Sequence, residues 1–260
     1  MTFKKCLKKI FFPVHRKIYN TIFTNKKFRH IYLKLVTFLA TYGISAFFSP
    51  SVIYARERWQ KQGTAGSLVN PETYIKEDNS ITELFKDVLA YVDKSSPILE
   101  IGCNVGRALN YLYGHGYRNL TGIEIGKEAV ELMKTTFPEV YHNSKIIIGD
   151  APEVIKELDI NGYDLVFCHS VLVNIHPRYN HLFKEMGRVS KKFILTLENE
   201  GTCTAYPRNF KKMIERQGYK MIVSKVFSGG CSSLPVPFEE KHIYKNNTIR
   251  LFVKDISPYS

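Results

Sequence analysis

The sequence predicts an α/β fold: a doubly wound, mostly parallel sheet with an antiparallel terminal strand, preceded by an N-terminal basic helical arm. Three observations carry this. Short β-rich apolar runs alternate with helical patterns from residue 80 onward, the last two such runs have no helix between them, and the excess positive charge sits at one end of the chain. Continuous apolar strands separated by helices belong to a parallel sheet covered on both faces, with right-handed crossovers. At 260 residues, 44% apolar and 23% charged, the chain can bury a large core and is neither disordered nor fibrous in composition.

The arm comes first. Residues 1–56 hold eleven of the 37 basic residues and no Asp or Glu, whereas the remaining residues are close to neutral, so the net charge of +13 belongs to the arm. Between Pro13 and Pro50 there is no proline and a single glycine, Gly43, which permits one long helix or two shorter ones. Phe28, Ile31, Tyr32, Leu35, Phe38, Leu39, Tyr42 and Ala46 recur at helical spacing, and Lys27, His30, Lys34, Thr37, Thr41 and Ser45 fall on the opposite stripe. A membrane span is disfavoured, because Ile31–Ser49 barely reaches the needed length and contains Lys34. The basic N-terminal side would also leave residues 51–260 outside the cytosol. Phe47-Phe48-Ser49-Pro50 is not a small-residue cleavage site. Two readings remain: residues 1–50 lie on an anionic membrane surface, or the apolar stripe packs on the chain's own domain. The division expected is an arm at 1–60, a linker with a lead-in helix at 61–96, and the main domain at 97–260, with Gly63–Ser67 as a loop.

In the main domain, strands are expected at Pro97–Ile101, Leu120–Ile125, Lys145–Ile148, Tyr163–Cys168 and Lys192–Leu197. Helices are expected at Arg107–Tyr113, Lys127–Phe137, Pro152–Leu158, Pro177–Val189 and Pro207–Gln217. Met221–Phe227 and Thr248–Lys254 should pair antiparallel at one edge, joined by a loop over Ser228–Asn247 that holds Gly229, Gly230, Pro235 and Pro237. The five cysteines (Cys6, Cys103, Cys168, Cys203 and Cys231) are odd in number and lack CxxC spacing. That argues against a disulfide framework or a cysteine zinc site and points to a reducing, cytoplasmic compartment, at most peripheral to the inner face of a membrane. No metal site is expected: His176 and His181 are off one helical face.

Ligands of such sheets bind beyond the carboxyl ends of the strands. The first strand ends in the turn Glu100-Ile101-Gly102-Cys103-Asn104-Val105-Gly106, where glycine lets backbone N–H groups approach a ligand. A dinucleotide fingerprint would need glycine where Asn104 and Arg107 stand, so a pyrophosphate loop is excluded. The second strand ends at Glu124, 22 residues after Gly102, where a carboxylate can accept both hydroxyls of a ribose. The third ends at Asp150, which can accept from an adenine amino group. Three acids at three successive strand ends beside a glycine turn form the strongest signal in the chain.

With these residues the segments ILEIGCNVGRALNYL, LTGIEIGKEAVELM, IIIGDAPEVI and YDLVFCHSVLVNIHP, in that order, resemble the class I S-adenosylmethionine-dependent methyltransferases of Rossmann-like fold. The resemblance runs from about Ser80 to Lys254; of the family's glycines, the middle one is replaced by Asn104. It implies S-adenosylmethionine as cofactor, with the Gly102–Gly106 turn, Cys103 included, at its methionine part. It places Glu124 on the ribose with Ile125 against the adenine, and Asp150 with Ala151 at the adenine edge. Cys168, His169 and Ser170 would lie under the sulfonium.

Methyl transfer asks mainly for in-line positioning and exclusion of water, and an alcohol acceptor gains from a neutral histidine as base. His169, at the fourth strand's end, and His176, before the next helix, are the catalytic candidates. Against them, His169 can simply line the cofactor pocket and His176 simply cap a helix. Glu198, Asn199 and Glu200, and the Ser228–Asn247 loop, are unranked candidates for substrate contact. The expected activity is O-methylation of a small molecule, glycan or sugar, or a lipid-linked intermediate. The alternatives are an RNA methyltransferase gripping phosphates with the arm, and a non-catalytic docking protein. The core's neutrality and the Cys168-His169-Ser170-Val171 sequence, in place of the motif of base-amino methylation, speak against nucleic acid.

Overall fold

A computed structural model describes residues 26–44, 52–61, 70–76, 79–199, 206, 208–227 and 247–255. The five expected parallel strands are β1 (Ile98–Ile101), β2 (Leu120–Glu124), β3 (Lys145–Ile148), β4 (Tyr163–His169) and β5 (Ser190–Asn199). They are followed by β6 (Tyr219–Phe227) and β7 (Asn247–Lys254). All seven form one sheet in the order β3-β2-β1-β4-β5-β7-β6. β1 is central, pairing in parallel with β2 (Ile98 opposite Leu120) and with β4 (Ile98 opposite Leu165). The order therefore reverses between β1 and β4, and a crevice opens at their carboxyl ends, where such folds bind ligands. The hairpin expected at the edge is present, with its second strand turned inward: β7 runs antiparallel to both β5 and β6.

Alternating strand residues divide the core between two faces. Leu99, Val166 and Ile194 face one side with Phe183 and Met186 of α8 (His181–Val189) and Phe210 and Ile214 of α9 (Phe210–Glu215). Ile98, Leu165 and Leu195 face the other, with Leu84 and Phe85 of α3 (Asn79–Phe85) and Leu109 and Leu112 of α4 (Arg107–Gly114). Met133 of α5 (Lys127–Thr136) joins this second face. The lead-in helix α3 is thus part of the core, with Phe85 edge-on to Phe167 at 5.0 Å.

Some helices are shorter than the sequence pattern suggests, each for a local reason. The span Pro177–Val189 divides into a 3-10 turn at Pro177–Tyr179 and α8, because Asn180 is drawn into tertiary hydrogen bonds. The last helix begins only at Phe210, where the Asn209 side chain accepts the Lys212 N–H at 2.9 Å and caps it. A short helix the periodicity did not show, α6 (Pro138–Asn143), starts on a proline at its first position. The span Pro152–Leu158 becomes α7 (Ala151–Val154) and a 3-10 turn at Ile155–Glu157.

Two helices of the arm are described, α1 (Lys26–Thr41) and α2 (Val52–Gln60). α1 is docked by its C-terminal end: Asn180 Nδ2 donates to the Ala40 carbonyl at 2.9 Å, and Thr41 Oγ1 accepts from the Asn209 N–H at 2.9 Å. Ala40 and Thr41 are buried, while Ile31, Leu35 and Phe38 are 62%, 54% and 58% exposed. Of the described stripe, Ile31, Leu35 and Phe38 thus face solvent, while Ala40 and Thr41 beside it, and Tyr42 through Lys212 Nζ at 3.0 Å, meet the domain. Among the described residues no helix is long and apolar enough to cross a membrane. The expected Gly63–Ser67 loop, Glu200 and nearly all of the 228–247 loop lie outside the described residues.

Candidate active site

The turn after β1 is held by its own strand neighbours. Gly102 takes φ +74°, and a side chain there would strike Val171, with a Cβ only 2.6 Å from its Cγ2. The Gly102 and Cys103 N–H groups donate to the Ile123 carbonyl at 2.8 and 3.0 Å. Asn104 takes φ +49°, a left-handed position that asparagine tolerates better than other side chains, and its Oδ1 accepts the Val105 N–H at 2.8 Å. Gly106, also left-handed, begins α4, and a Cβ there would lie 2.5 Å from Met133 Cε. Its role is close helix packing, and like Cys168 it does not line the cavity described below, against the expectation for both. The Cys103 thiol is buried, and burial pushes its pKa well up, so it is no nucleophile.

Glu124 is buried and fixed at both oxygens: Oε2 accepts the Asn104 N–H at 2.8 Å and Oε1 the Gly126 N–H at 2.7 Å. Both oxygens are thereby held in place beside the turn after β1. Glu100 is 3% exposed and its Oε2 has no partner. Burial pushes its pKa well above the usual range, against the pull of Arg107 and reinforced by Glu124. A buried carboxylate with an unsatisfied oxygen is a site waiting for a donor or a cation. Asp150, raised by burial and lowered by Arg56, stands at the third strand's end with Arg56 Nε 3.2 Å from its Oδ2.

The loop after β4 is built around one buried acid. Glu198 Oε1 accepts the Val171 and Leu172 N–H groups at 2.9 and 2.8 Å, and Oε2 accepts that of Val173 at 3.1 Å. Glu198 is fully buried, so it holds the loop and does not reach substrate. Arg208, also buried, donates to Asn180 Oδ1 at 2.8 Å and to the carbonyls of Leu172 and Ile175. Burial lowers its pKa to about 9, which still leaves it charged at neutral pH. Cys168 is buried with its Sγ 3.5 Å from Glu198 Oε1, away from the cavity; His169 and Ser170 line the cavity. His176 Nδ1 accepts the Arg178 N–H at 3.1 Å and caps the 3-10 turn, so in the neutral ring the proton sits on Nε2. Burial, then Arg208 and Arg178, hold its pKa below the ordinary histidine value.

These pieces converge on one cavity of about 250 Å³ at the switch point. Gly102, Cys103, Asn104, Glu100, Glu124, Ile125, Asp150, Ala151, His169 and His176 all line it. Sequence reasoning missed α2, which brings Arg56, Arg58 and Trp59 into its wall; Arg56 had counted only as an arm charge, because its partner Asp150 is distant in sequence. It also left unranked Asn199 and Asn247, which face each other across β5 and β7 at the cavity's other end. Asn247 is 1% exposed and its Nδ2 has no partner. Among the described residues no cluster of His, Cys, Asp and Glu could hold a metal.

Residues 98–192 match a family described as a methyltransferase domain. No curated protein sequence matches the chain significantly. Among solved structures, the magnesium protoporphyrin IX methyltransferase of Synechocystis PCC 6803 with bound S-adenosylhomocysteine shares the fold at 13% identity. It superposes with a TM-score of 0.54 over 86% of this chain and 99% of that one. The geranyl diphosphate C-methyltransferase of Streptomyces coelicolor A3(2) does so at 9% identity, with a TM-score of 0.54 over 67% and 75%. A cyclase, SpnF, has the same fold at 13% identity, with a TM-score of 0.55 over 69% and 81%, so fold similarity alone does not fix the chemistry. What the cyclase cannot supply, the family match does: residues 98–192 match a methyltransferase domain, and the solved structures add the fold alone.

Proposed function

We propose that the chain methylates a hydroxyl oxygen of a small molecule, sugar or lipid-linked acceptor. The observation that carries this reading is the division of the cavity. One end holds the three acids, whose chemistry matches the cofactor; the other holds neutral polar groups, His169, Asn199 and the unpartnered Nδ2 of Asn247. Glu124, fixed at both oxygens, suits the ribose diol; the orphaned oxygen of Glu100 suits the cationic methionine end beside Gly102; and Asp150 with Ala151 and Ile125 frames the adenine. S-adenosylmethionine supplies an already activated methyl group. The chain's own task is then to hold the acceptor oxygen in line, keep water out and take one proton.

Of the two histidines, His169 fits the proton acceptor. His176 presents Nε2–H while its Nδ1 is engaged by Arg178, so it can donate to an acceptor oxygen and cannot deprotonate it without losing its cap. As the oxygen accepts the methyl group, its proton passes to a ring nitrogen of His169. Asn247 Nδ2 donates to a second oxygen of the acceptor, which favours polyols and sugars over hydrocarbons.

The test is methyl transfer from labelled S-adenosylmethionine to small-molecule, glycan, lipid and RNA fractions. His169→Ala should lose ~10²–10⁴-fold in kcat on the accepted fraction while keeping cofactor affinity. His176→Ala should lose less. Full activity in the first variant would leave a mechanism of proximity alone, and transfer to RNA only would replace the acceptor class.

A further inference from the structure

Taken as a helix, α1 (Lys26–Thr41) is mounted the wrong way round for a water-facing element. Ile31, Leu35, Phe38 and Tyr42 are spaced four, three and four apart and fall within an arc of about 60°. All four are exposed, at 62%, 54%, 58% and 46%, and Ile44 beyond the helix is 53% exposed. Ala40 and Thr41 meet the domain through Asn180 and Asn209, and of the four stripe residues Tyr42, at the helix end, also reaches it. Cations flank the stripe. Lys34 is exposed beside it; Lys212 Nζ donates to Tyr42 Oη at 3.0 Å; and the Arg216 guanidinium lies 5.1 Å from the Tyr42 ring centre. Lys212 and Arg216 hold the Tyr42 hydroxyl's pKa below its ordinary value. The residues that grip α1 directly follow the cavity wall, since Asn180 succeeds His176 and Tyr179.

We propose that this face of α1 docks the protein on an anionic lipid bilayer, with the stripe at the acyl boundary and the cations at the headgroups. The charge pattern selects that occupant. Eleven basic residues and no acid lie in residues 1–56, so a second copy of the same chain would meet like charge. A polyanion without an apolar phase would satisfy the lysines and leave Ile31, Leu35 and Phe38 in water. An anionic bilayer satisfies both. The proposal stands on α1 and does not depend on the acceptor of methyl transfer.

The experiment is sedimentation of the full chain with phosphatidylglycerol–phosphatidylcholine vesicles and with pure phosphatidylcholine vesicles. Binding should need the anionic lipid and should fall steeply as salt rises from about 0.1 to about 1 M, which shortens the screening length from ~10 to ~3 Å. The double variant Leu35→Glu/Phe38→Glu should partition at least about tenfold more weakly, while its affinity for S-adenosylhomocysteine, measured in the same preparation, stays that of the parent chain. Absence of vesicle binding would overturn the proposal, as would equal binding to uncharged vesicles or undiminished binding of a folded double variant. A dimer that the double variant dissociates would assign the stripe to a second copy instead. Binding of RNA in place of vesicles would assign the charge to nucleic acid, with the same consequence.

Discussion

Asn104 and Glu124 form a single device. The left-handed backbone at Asn104 turns its N–H onto Glu124 Oε2 at 2.8 Å, while its own side chain secures the next N–H. A glycine would allow the same φ, but without that side-chain brace. This explains how the turn works with asparagine where the family pattern has glycine. Replacing Glu124 by Ala removes both the proposed ribose contacts and the brace, and should weaken S-adenosylhomocysteine binding by about 1.5–3 kcal/mol, roughly ten- to 150-fold. Calorimetry giving parent-like affinity would remove Glu124 from the ribose site. These positions were legible in the sequence because strand ends can be found from apolar runs, and an acid at a strand end has few uses. Arg56 was not legible: nothing local marks it as the partner of Asp150, and only the placement of α2 over the cavity shows it.

At the scale of elements, β1, β2 and β4 were readable because they are continuous, apolar and buried on both faces. The helices were readable in position but not in extent. The break at Asn180 comes with hydrogen bonds to α1 and Arg208 that no local pattern encodes, whereas the late start at Phe210 is set by the Asn209 cap. The turn Leu172–Asn174 is the clearest case, since the Val171, Leu172 and Val173 N–H groups at its start all donate to the carboxylate of Glu198 on another strand. Glu198→Ala would strand those donors in a dry site. It should cost about 3 kcal/mol or more, a fall in Tm of roughly 6–12 °C for a chain of this size. Cofactor affinity should fall with it, because Val171 packs on Gly102. A thermal melt within a degree or so of the parent would show that water replaces the carboxylate and that the loop is not built on it.

For the molecule as a whole, two groups set how stability responds to acid. His176 has a folded pKa below its unfolded value of about 6.5, so the native state resists its protonation, and stability declines as pH falls from there toward the folded value. Burial pushes Asp164 up, but hydrogen bonds from Lys192 and Ser96, both at 2.8 Å, outweigh it and leave its pKa lowered. Its contribution is present above about 3.9 and is lost as pH falls through the lower folded value. His176→Asn, which keeps an acceptor for the Arg178 N–H, should therefore flatten the decline in Tm that sets in as pH falls below about 6.5, while leaving the loss that sets in below about 3.9. Asp164→Asn should do the reverse, and melts across that range separate the two. The order of the strands has a further consequence, for synthesis. Among the described residues β6 has only β7 as a sheet neighbour, and β7 follows the other six strands in sequence. A nascent chain that has extended only to residue 246 has made β6 without giving it a neighbour, and the outer edge of β5 is still open. Until the final strand emerges from the ribosome and threads between them, that edge is a template for pairing with another nascent chain. The interval before Asn247–Lys254 appears is then when this protein is most exposed to aggregation and most dependent on chaperones.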